Sequence, residues 1–289
     1  MNVLIFGGNG QVGRALQTTL SALGHEVVAL SRNDSGGDLL NFGAIAEVIE
    51  RISPHVIINA AAYTQVDLAE TQREAAWSVN AEAVANLAQC ANSAGALLIH
   101  FGTDFVFDGT GNRAWRETDE ERPLSVYGES KLAGERAILG SGCRHVILRV
   151  SWVHAAGHKN FITSFLNWAR TKPTVSVVDD QWGTPTSATD IARAVGVVID
   201  RAIDDASLDG VYHFANAGFT TRFGCAKYIA SLLPVEDLPN LNPARSVEFE
   251  LPARRPLNCR LETEKFRKTF AFEARSWQDG VRETVLNLL

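Results

Sequence analysis

The 289-residue sequence is poor in the features that mark several protein classes. Its 4 cysteines, Cys90, Cys143, Cys225 and Cys259, stand far apart, and none falls in a metal-ligand or C-x-x-C spacing. That pattern argues against a small disulfide framework and leaves them as small core or surface residues. Basic charge is also scarce: 27 Lys and Arg against 33 Asp and Glu give a net charge of -6. The positive excess expected of a general nucleic-acid or acidic-membrane binder is therefore missing. No unbroken apolar stretch reaches the roughly 18 residues of a membrane span. The start, Met1 to Gly7, lacks the basic region and cleavage site of a signal peptide, so the expectation is a soluble, cytoplasmic protein. The 7 histidines show no metal spacing, and only His154, two positions after Trp152, is of interest. There is no internal repeat, low-complexity tract or long flexible linker.

What the chain does contain is an alternation of short apolar runs and amphipathic stretches. The runs are Val3–Phe6, Val27–Leu30, Val56–Ile58, Leu97–Ile99 and Val146–Leu148. Each is apolar without alternation, as expected of parallel strands covered on both faces. Between them Ile45, Val48, Ile49 and Ile52 form one buried helix stripe behind Asn41 as N-cap, and Ala75 to Ala94 reads as one long helix. Strand, helix, strand in this order predicts an α/β fold with a doubly wound parallel sheet of Rossmann type. After about Ser151 the rhythm loosens. Helices are expected near Phe161–Arg170, Thr189–Ile203 and Arg222–Leu233, with strands at Val175–Val178 and Val211–Phe214. Pro234, Pro239, Pro243, Pro252 and Pro256 then mark a loop-rich stretch. The division expected is residues 1–152 as the dinucleotide-binding domain, with 174–215 returning to its sheet. Residues 153–173 and 216–289 would form a smaller, C-terminal substrate-binding lobe.

Directly after the first strand, Gly7-Gly8-Asn9-Gly10-Gln11-Val12-Gly13 precedes a helical stretch, Arg14 to Leu23. Two fingerprints overlap, Gly8-x-Gly10-x-x-Gly13 and Gly7-x-x-Gly10-x-x-Gly13, and in either the glycines permit a tight turn, close approach of backbone to a pyrophosphate, and close helix–strand packing. The helix start adds free N–H groups and the positive end of its dipole. The bland reading is a turn that binds nothing, but strand, loop and helix stand in the order a dinucleotide site needs. At the end of the second strand an acidic residue would bind the ribose 2′-hydroxyl and an arginine a 2′-phosphate. Here Ser31 and Arg32 hold that corner and Asp34 comes late, which favours NADPH over NADH. If Arg32 is only a solvated loop residue, both cofactors serve.

Tyr127 and Lys131 lie at i and i+4 on a predicted helix, so phenol and ammonium share a face. An adjacent cation stabilises the phenolate of a group whose pKa is otherwise near 10. Thr103 follows the fourth strand, at the carboxyl end that faces the ligand crevice, where its hydroxyl could polarise a carbonyl or merely cap a turn.

Together, Gly7-x-x-Gly10-x-x-Gly13, Thr103 and Tyr127-x-x-x-Lys131 resemble the extended short-chain dehydrogenase/reductases. The dTDP-4-dehydrorhamnose reductase branch is the nearest in detail. The likeness extends through Asn59–Asp67, Thr103–Gly109, Tyr127–Glu135, Arg149–Val153, Asp180–Thr186 and Arg255–Leu261. It implies that Gly10, Gln11 and Val12 meet the pyrophosphate and that Asp38 and Leu39 meet the adenine side. Ala61, Ala62, Tyr63 and Thr64 would line the nicotinamide-ribose path, with Phe101 nearby. Thr103, Asp104 and Trp152 would meet a sugar, Tyr127 would donate the proton, and Lys131 would hold the ribose and tune Tyr127. Arg255 is a candidate for a nucleotide diphosphate, against a salt bridge among Arg254, Arg255 and nearby Glu residues.

The implied activity is NAD(P)H-dependent reduction of the C4 ketone of a nucleotide-linked 4-keto-6-deoxyhexose, dTDP-4-dehydro-L-rhamnose above others. A sugar-nucleotide epimerase or dehydratase of the same superfamily, or a regulatory subunit on the same fold, are the alternatives. The chain departs from the branch at Phe105 (usually Tyr), Gly102 (usually Ser) and His154 (usually Tyr), which bears on the sugar's hydroxyl pattern. Ala15 replaces the Glu through which some members form a magnesium-bridged dimer. The expectation is therefore no metal, and a monomer or weak homodimer.

Overall fold

The computed structural model describes residues 1–234 and 238–289. The first half runs β1 (Asn2–Phe6), α1 (Gln11–Ala22), β2 (Glu26–Leu30), α2 (Phe42–Ile52), β3 (Val56–Asn59), α3 (Val66–Ala69), α4 (Arg73–Trp77), α5 (Ala83–Ala94) and β4 (Leu97–Thr103). It continues through α6 (Val126–Gly140), β5 (His145–Val150), β6 (Val153–His154), α7 (Phe161–Thr171) and β7 (Thr174–Val178). Then come β8 (Trp182–Gly183), β9 (Thr186–Ser187), α8 (Ala188–Ala202), β10 (Gly210–Phe214), β11 (Thr220–Thr221) and α9 (Arg222–Ala230). The chain closes with β12 (Asn240–Ala244), α10 (Glu264–Phe270) and α11 (Trp277–Leu286).

Six parallel strands form the central sheet in the order β10-β5-β4-β3-β1-β2. The unbroken apolar runs are explained by cover on both faces. In β1, Val3 and Ile5 pack with Leu16 and Leu20 of α1 and with Val195 and Ile199 of α8. Leu4 and Phe6 point the other way, onto Ile45, Val48 and Ile49 of α2 and Leu87 of α5. Asn41 caps α2, its side-chain oxygen accepting from the Ala44 N–H. Strand order reverses between β1 and β3, and the crevice at such a switch point is where an open α/β sheet binds its ligand.

Three expectations are corrected. The long helix over 75–94 is interrupted by a π-turn, Ser78–Glu82, which turns Asn80 inward. The Asn80 amide nitrogen donates to Tyr63 O and Ser130 Oγ, and its oxygen accepts from the Tyr63 N–H. Segment 174–215 does not return to the sheet as a block. β10 takes the edge beside β5, but β7 pairs with β12 in a separate sheet. The reason lies in β7 itself, where only Val175 and Val177 are buried, a strand with one covered face. Finally, α10 packs on the large domain rather than on the lobe. Phe266 and Phe270, one turn apart, set their rings 5.0 Å from Phe214 and Tyr212 respectively. The remaining C-terminal elements pack around Phe165, Cys225, Ile229, Trp277 and Val281.

One polar group inside this apolar body fixes α6 against β4 and β5. Arg149, in β5, is 1% exposed; its Nε and Nη2 donate to Glu135 Oε2 at 2.9 and 2.7 Å, and Nη2 also donates to Glu121 Oε1 at 2.7 Å. The guanidinium also lies 5.3 Å from the Phe107 ring centre. Gly102 leaves the necessary space: a Cβ there would come 2.2 Å from Glu135 Oε1. Arg149→Met should destabilise the fold by about 3–5 kcal/mol, because it leaves the Glu135 carboxylate buried without its partner. Arg149→Met with Glu135→Leu should recover most of the loss. Chemical denaturation of the three proteins checks both, and an unchanged single variant would mean the pair is not what holds α6.

Candidate functional site

The crevice opens at the carboxyl ends of β1, β3 and β4 and has a volume of about 900 Å³. Gly7 occupies the left-handed region at φ 83°, and a Cβ there would come 2.6 Å from the Ala60 carbonyl carbon. A Cβ on Gly13 would come 2.1 Å from Gly7 O, so α1 can start this close to β1 only with glycine. Gly10 caps α1 without a side chain, which leaves the first-turn N–H groups without a side-chain acceptor. Gln11 and Val12 line the crevice beside them. At its far end Ser31, Arg32, Asp38 and Leu39 line the wall. Arg32 is exposed, 3.7 Å from an Asp38 oxygen, while Asp34 folds back to accept from the Ser31 N–H at 2.7 Å. Ala61, Ala62, Tyr63, Thr64 and Phe101 line the middle.

Thr103, Tyr127 and Lys131 meet at the floor. Thr103 does cap a turn, its Oγ1 accepting from the Phe105 N–H at 3.2 Å, but the same hydroxyl also faces Tyr127. Its proton goes to Asp104 Oδ1 at 3.1 Å. Burial drives the Asp104 carboxyl above its usual range, against the pull of its hydrogen bonds. Phe105 and Tyr127 pack edge to face, ring centres 5.6 Å apart, so an apolar ring borders the phenol.

Tyr127 differs from the sequence expectation. Its phenol is pushed up to about 12 by burial, only partly offset by Thr103, rather than held as phenolate. Lys131 is buried and lowered to about 8 by the same cause, with Glu135 opposing. Its Nζ lies 3.2 Å from His100 Nε2, and His100 Nδ1 lies 3.2 Å from Asn59 Nδ2. Asn59 Oδ1 accepts from the Ala61 N–H, so the Asn59 amide nitrogen must donate to His100 Nδ1. The imidazole hydrogen then sits on Nε2, aimed at Lys131, an arrangement that favours the free amine over the ammonium. Burial also keeps His100 neutral, its pKa well below the usual imidazole value.

A second cavity of about 580 Å³ adjoins the first and is lined by Phe161, Trp168, Phe249 and Leu251. Trp152, Arg222 and Arg255 line both. Arg255 makes its salt bridge with Asp67 rather than with a Glu, Nη1 and Nη2 donating to the two oxygens at 2.9 and 2.7 Å. That pair holds the Asp67 carboxyl below its usual range. The neighbouring His154 is buried, bonded through Nδ1 to Thr284 Oγ1, and burial drops its pKa to about 3. It serves the packing of β6 rather than proton transfer near neutral pH.

Sequence reasoning missed His100, Asn59 and Arg222. His100 hides inside an apolar strand, three residues past Leu97 at the start of the run, with no polar neighbour in the strand before it to mark it. Arg222 follows a Thr-Thr cap and reads as an ordinary first-turn residue.

The whole chain, residues 1–289, matches the family described as the RmlD substrate binding domain. The dTDP-4-dehydrorhamnose reductase of Escherichia coli (strain K12) is 40% identical over 293 residues, 100% of this chain and 98% of that protein. A crystal structure of a dTDP-4-dehydrorhamnose reductase from Clostridium acetobutylicum superposes with a TM-score of 0.92 at 33% identity, covering 99% of each chain. One from Bacillus anthracis, in complex with NADP, gives 0.90 at 31% identity, again covering 99% of each.

The titration of Lys131 gives a direct check on this geometry. Its ammonium should lose its proton near pH 8, well below exposed lysines, as followed by the shift of 13Cε-labelled lysine in NMR. A midpoint with the exposed lysines would show that Nζ is solvated and not buried against His100.

Proposed function

Since the chain belongs to the RmlD substrate binding domain family, we propose that it is an NADPH-dependent reductase of dTDP-4-dehydro-L-rhamnose, forming dTDP-L-rhamnose. The observation that carries this is the meeting of Thr103, Tyr127 and Lys131 at the floor of a glycine-lined crevice. The relatives named above supply the substrate, and the NADP complex of the Bacillus anthracis enzyme supports the cofactor.

The crevice fits a dinucleotide on its own geometry. Gly7 and Gly13 hold a cradle that a Cβ would fill, and the α1 start offers N–H groups to a pyrophosphate. Arg32, held only by an exposed 3.7 Å ion pair with Asp38, is the cation available to a 2′-phosphate, with Ser31 beside it. Asp38 and Leu39 line the adenine end, and Ala61 to Thr64 with Phe101 line the path to the nicotinamide.

Bound NADPH supplies the hydride that goes to C4 of the sugar. Tyr127 gives its phenolic proton to the ketone oxygen as charge develops there. A phenol at about 12 stays protonated at neutral pH, which suits a donor to an alkoxide. Thr103 steadies the same oxygen by turning its hydroxyl hydrogen from Asp104 to the ketone. A donor placed in advance where charge develops contributes a few kcal/mol. Lys131, on the next helical turn, holds the ribose and returns a proton to the Tyr127 phenolate. Asp104 and Trp152 flank the sugar. The large domain holds the cofactor and the C-terminal lobe the nucleotide sugar, and the chain works as a monomer or weak homodimer in the cytoplasm. Its four free cysteines suit that compartment.

An epimerase returns the hydride and consumes no cofactor, so the test is the loss of reduced-nicotinamide absorbance. NADPH or NADH is mixed with the protein and dTDP-4-keto-6-deoxyhexose, its epimerase present. Stoichiometric loss supports the reductase; binding of the nucleotide sugar without loss overturns it. Tyr127→Phe should lower kcat by about 100- to 10,000-fold and leave the NADPH dissociation constant unchanged. A near-native rate would remove Tyr127 as donor. Arg32→Ala should raise KM for NADPH more than for NADH, and equal effects would exclude a 2′-phosphate contact. In the native enzyme kcat should fall as pH rises through about 8, where Lys131 loses its charge, while Tyr127 remains protonated. A profile flat to pH 10 would deny Lys131 that part.

A further inference from the structure

The two cavities are joined by a passage, and its charges are unequal. A sugar nucleotide laid through the site puts its ketone at Tyr127 and Thr103 in the first cavity. Its base then reaches the second, whose wall of Phe161, Trp168 and Phe249 offers flat apolar faces. The diphosphate must therefore cross the passage between them, where Arg222, Arg255 and the exposed Lys159 line both cavities.

Arg255 is already neutralised by its two-pronged bond to Asp67, with Nη1 also donating to Ala253 O. Arg222 is different. Among the described residues its guanidinium takes part in no hydrogen bond and no ion pair within 4 Å. It is half-buried, with its guanidinium carbon 3.6 Å over the centre of the Trp152 ring and 5.2 Å from that of Phe161, so two aromatic rings hold it in place. The nearest acid is Asp104, but its oxygens already accept from the Thr103 and Ser151 hydroxyls. A guanidinium packed on aromatic rings with its N–H groups unclaimed is prepared for a planar or tetrahedral oxyanion. Its like-charged neighbour Arg255 raises the cost of leaving it uncompensated.

We propose that Arg222, and not Arg255, is the residue that grips the diphosphate of the nucleotide substrate, with Arg255 a fixed wall held by Asp67. This rests on the sugar-nucleotide reading above and adds the residue that recognises the charged half of the ligand. It also places Trp152 as the platform that aims the guanidinium.

The test compares dTDP with thymidine, which lacks the phosphates, by calorimetry on the full chain. The native protein should prefer dTDP. Arg222→Met, which keeps the stem over Trp152, should weaken dTDP binding by roughly 10- to 100-fold while leaving thymidine and NADPH affinities unchanged. Arg222→Lys keeps the charge without the fork and should fall between, and NADPH binding reports that each variant is folded. Arg255→Met should lose less of the dTDP preference than Arg222→Met. An Arg222→Met protein with native preference for dTDP, or a larger loss in Arg255→Met, overturns the proposal. A native protein that binds dTDP no better than thymidine overturns the sugar-nucleotide reading itself.

Discussion

The buried pair of Arg149 with Glu135 is the constraint on which the rest of the molecule depends. It ties the inward face of α6 to the neighbouring strand β5 from inside the apolar layer, and α6 carries both Tyr127 and Lys131. Two hydrophobic surfaces alone can slide, since cores tolerate volume-conserving repacking. A charged hydrogen bond between fixed rotamers permits one register. Removing either partner exposes the other to an apolar surrounding, and that asymmetry makes the pair a register mark rather than a simple source of stability. Gly102 belongs to the same device, because it leaves the space that Glu135 occupies.

Having been set in place, α6 sits in a poor solvent for charge, and that sets the chemistry. The same desolvation raises Tyr127 and lowers Lys131, so both favour their neutral forms. A reduction needs a donor that keeps its proton until the ketone oxygen becomes basic, and a raised phenol pKa provides that. The textured polarity beneath Lys131, from Ala61 N–H through Asn59 to His100, runs from the crevice wall at β3 to the floor at β4. It leaves no freedom in the imidazole tautomer, so the position of one backbone amide is felt at the lysine.

Much of this was legible in the sequence for one physical reason: the large domain is built from local repeats of strand and helix. Unbroken runs such as Val3–Phe6 are covered on both faces, and the glycines at 10 and 13 answer to the Gly7 carbonyl a few residues away, although Gly7 itself answers to the distant Ala60. Tyr127 and Lys131 share a helical face by spacing alone. What could not be read depends on partners far along the chain. Val175 and Val177 show one-face alternation, but nothing local shows that β12 pairs with them. Phe266 and Phe270 form a stripe without naming the aromatic pair it covers. The Asp67 partner of Arg255 is 188 residues away, and the choice between two arginines for one anion was open until that pairing was seen.

Trp152 shows how the lobe finishes a site that the sheet begins. It lies just beyond β5 with φ at 46°, a left-handed conformation that costs a non-glycine residue on the order of 1–3 kcal/mol. Such strain persists only where neighbours over-determine it. Here Gly183 lies against the indole so closely that a Cβ would come 2.5 Å from its Cε2, and the Arg222 guanidinium packs 3.6 Å from the ring centre. Both neighbours come from later in the chain, and they join through the short β8–β11 pair, which links Trp182 to Thr221. A residue at the end of a sheet strand is thus turned back by the lobe, and its ring becomes the floor against which the Arg222 guanidinium packs. Under the proposal above, the sheet and α6 would set the ketone end of the site and the lobe the charged end. The strained tryptophan joins the two, so a substrate would be measured by the spacing of carbonyl and phosphate as much as by either group.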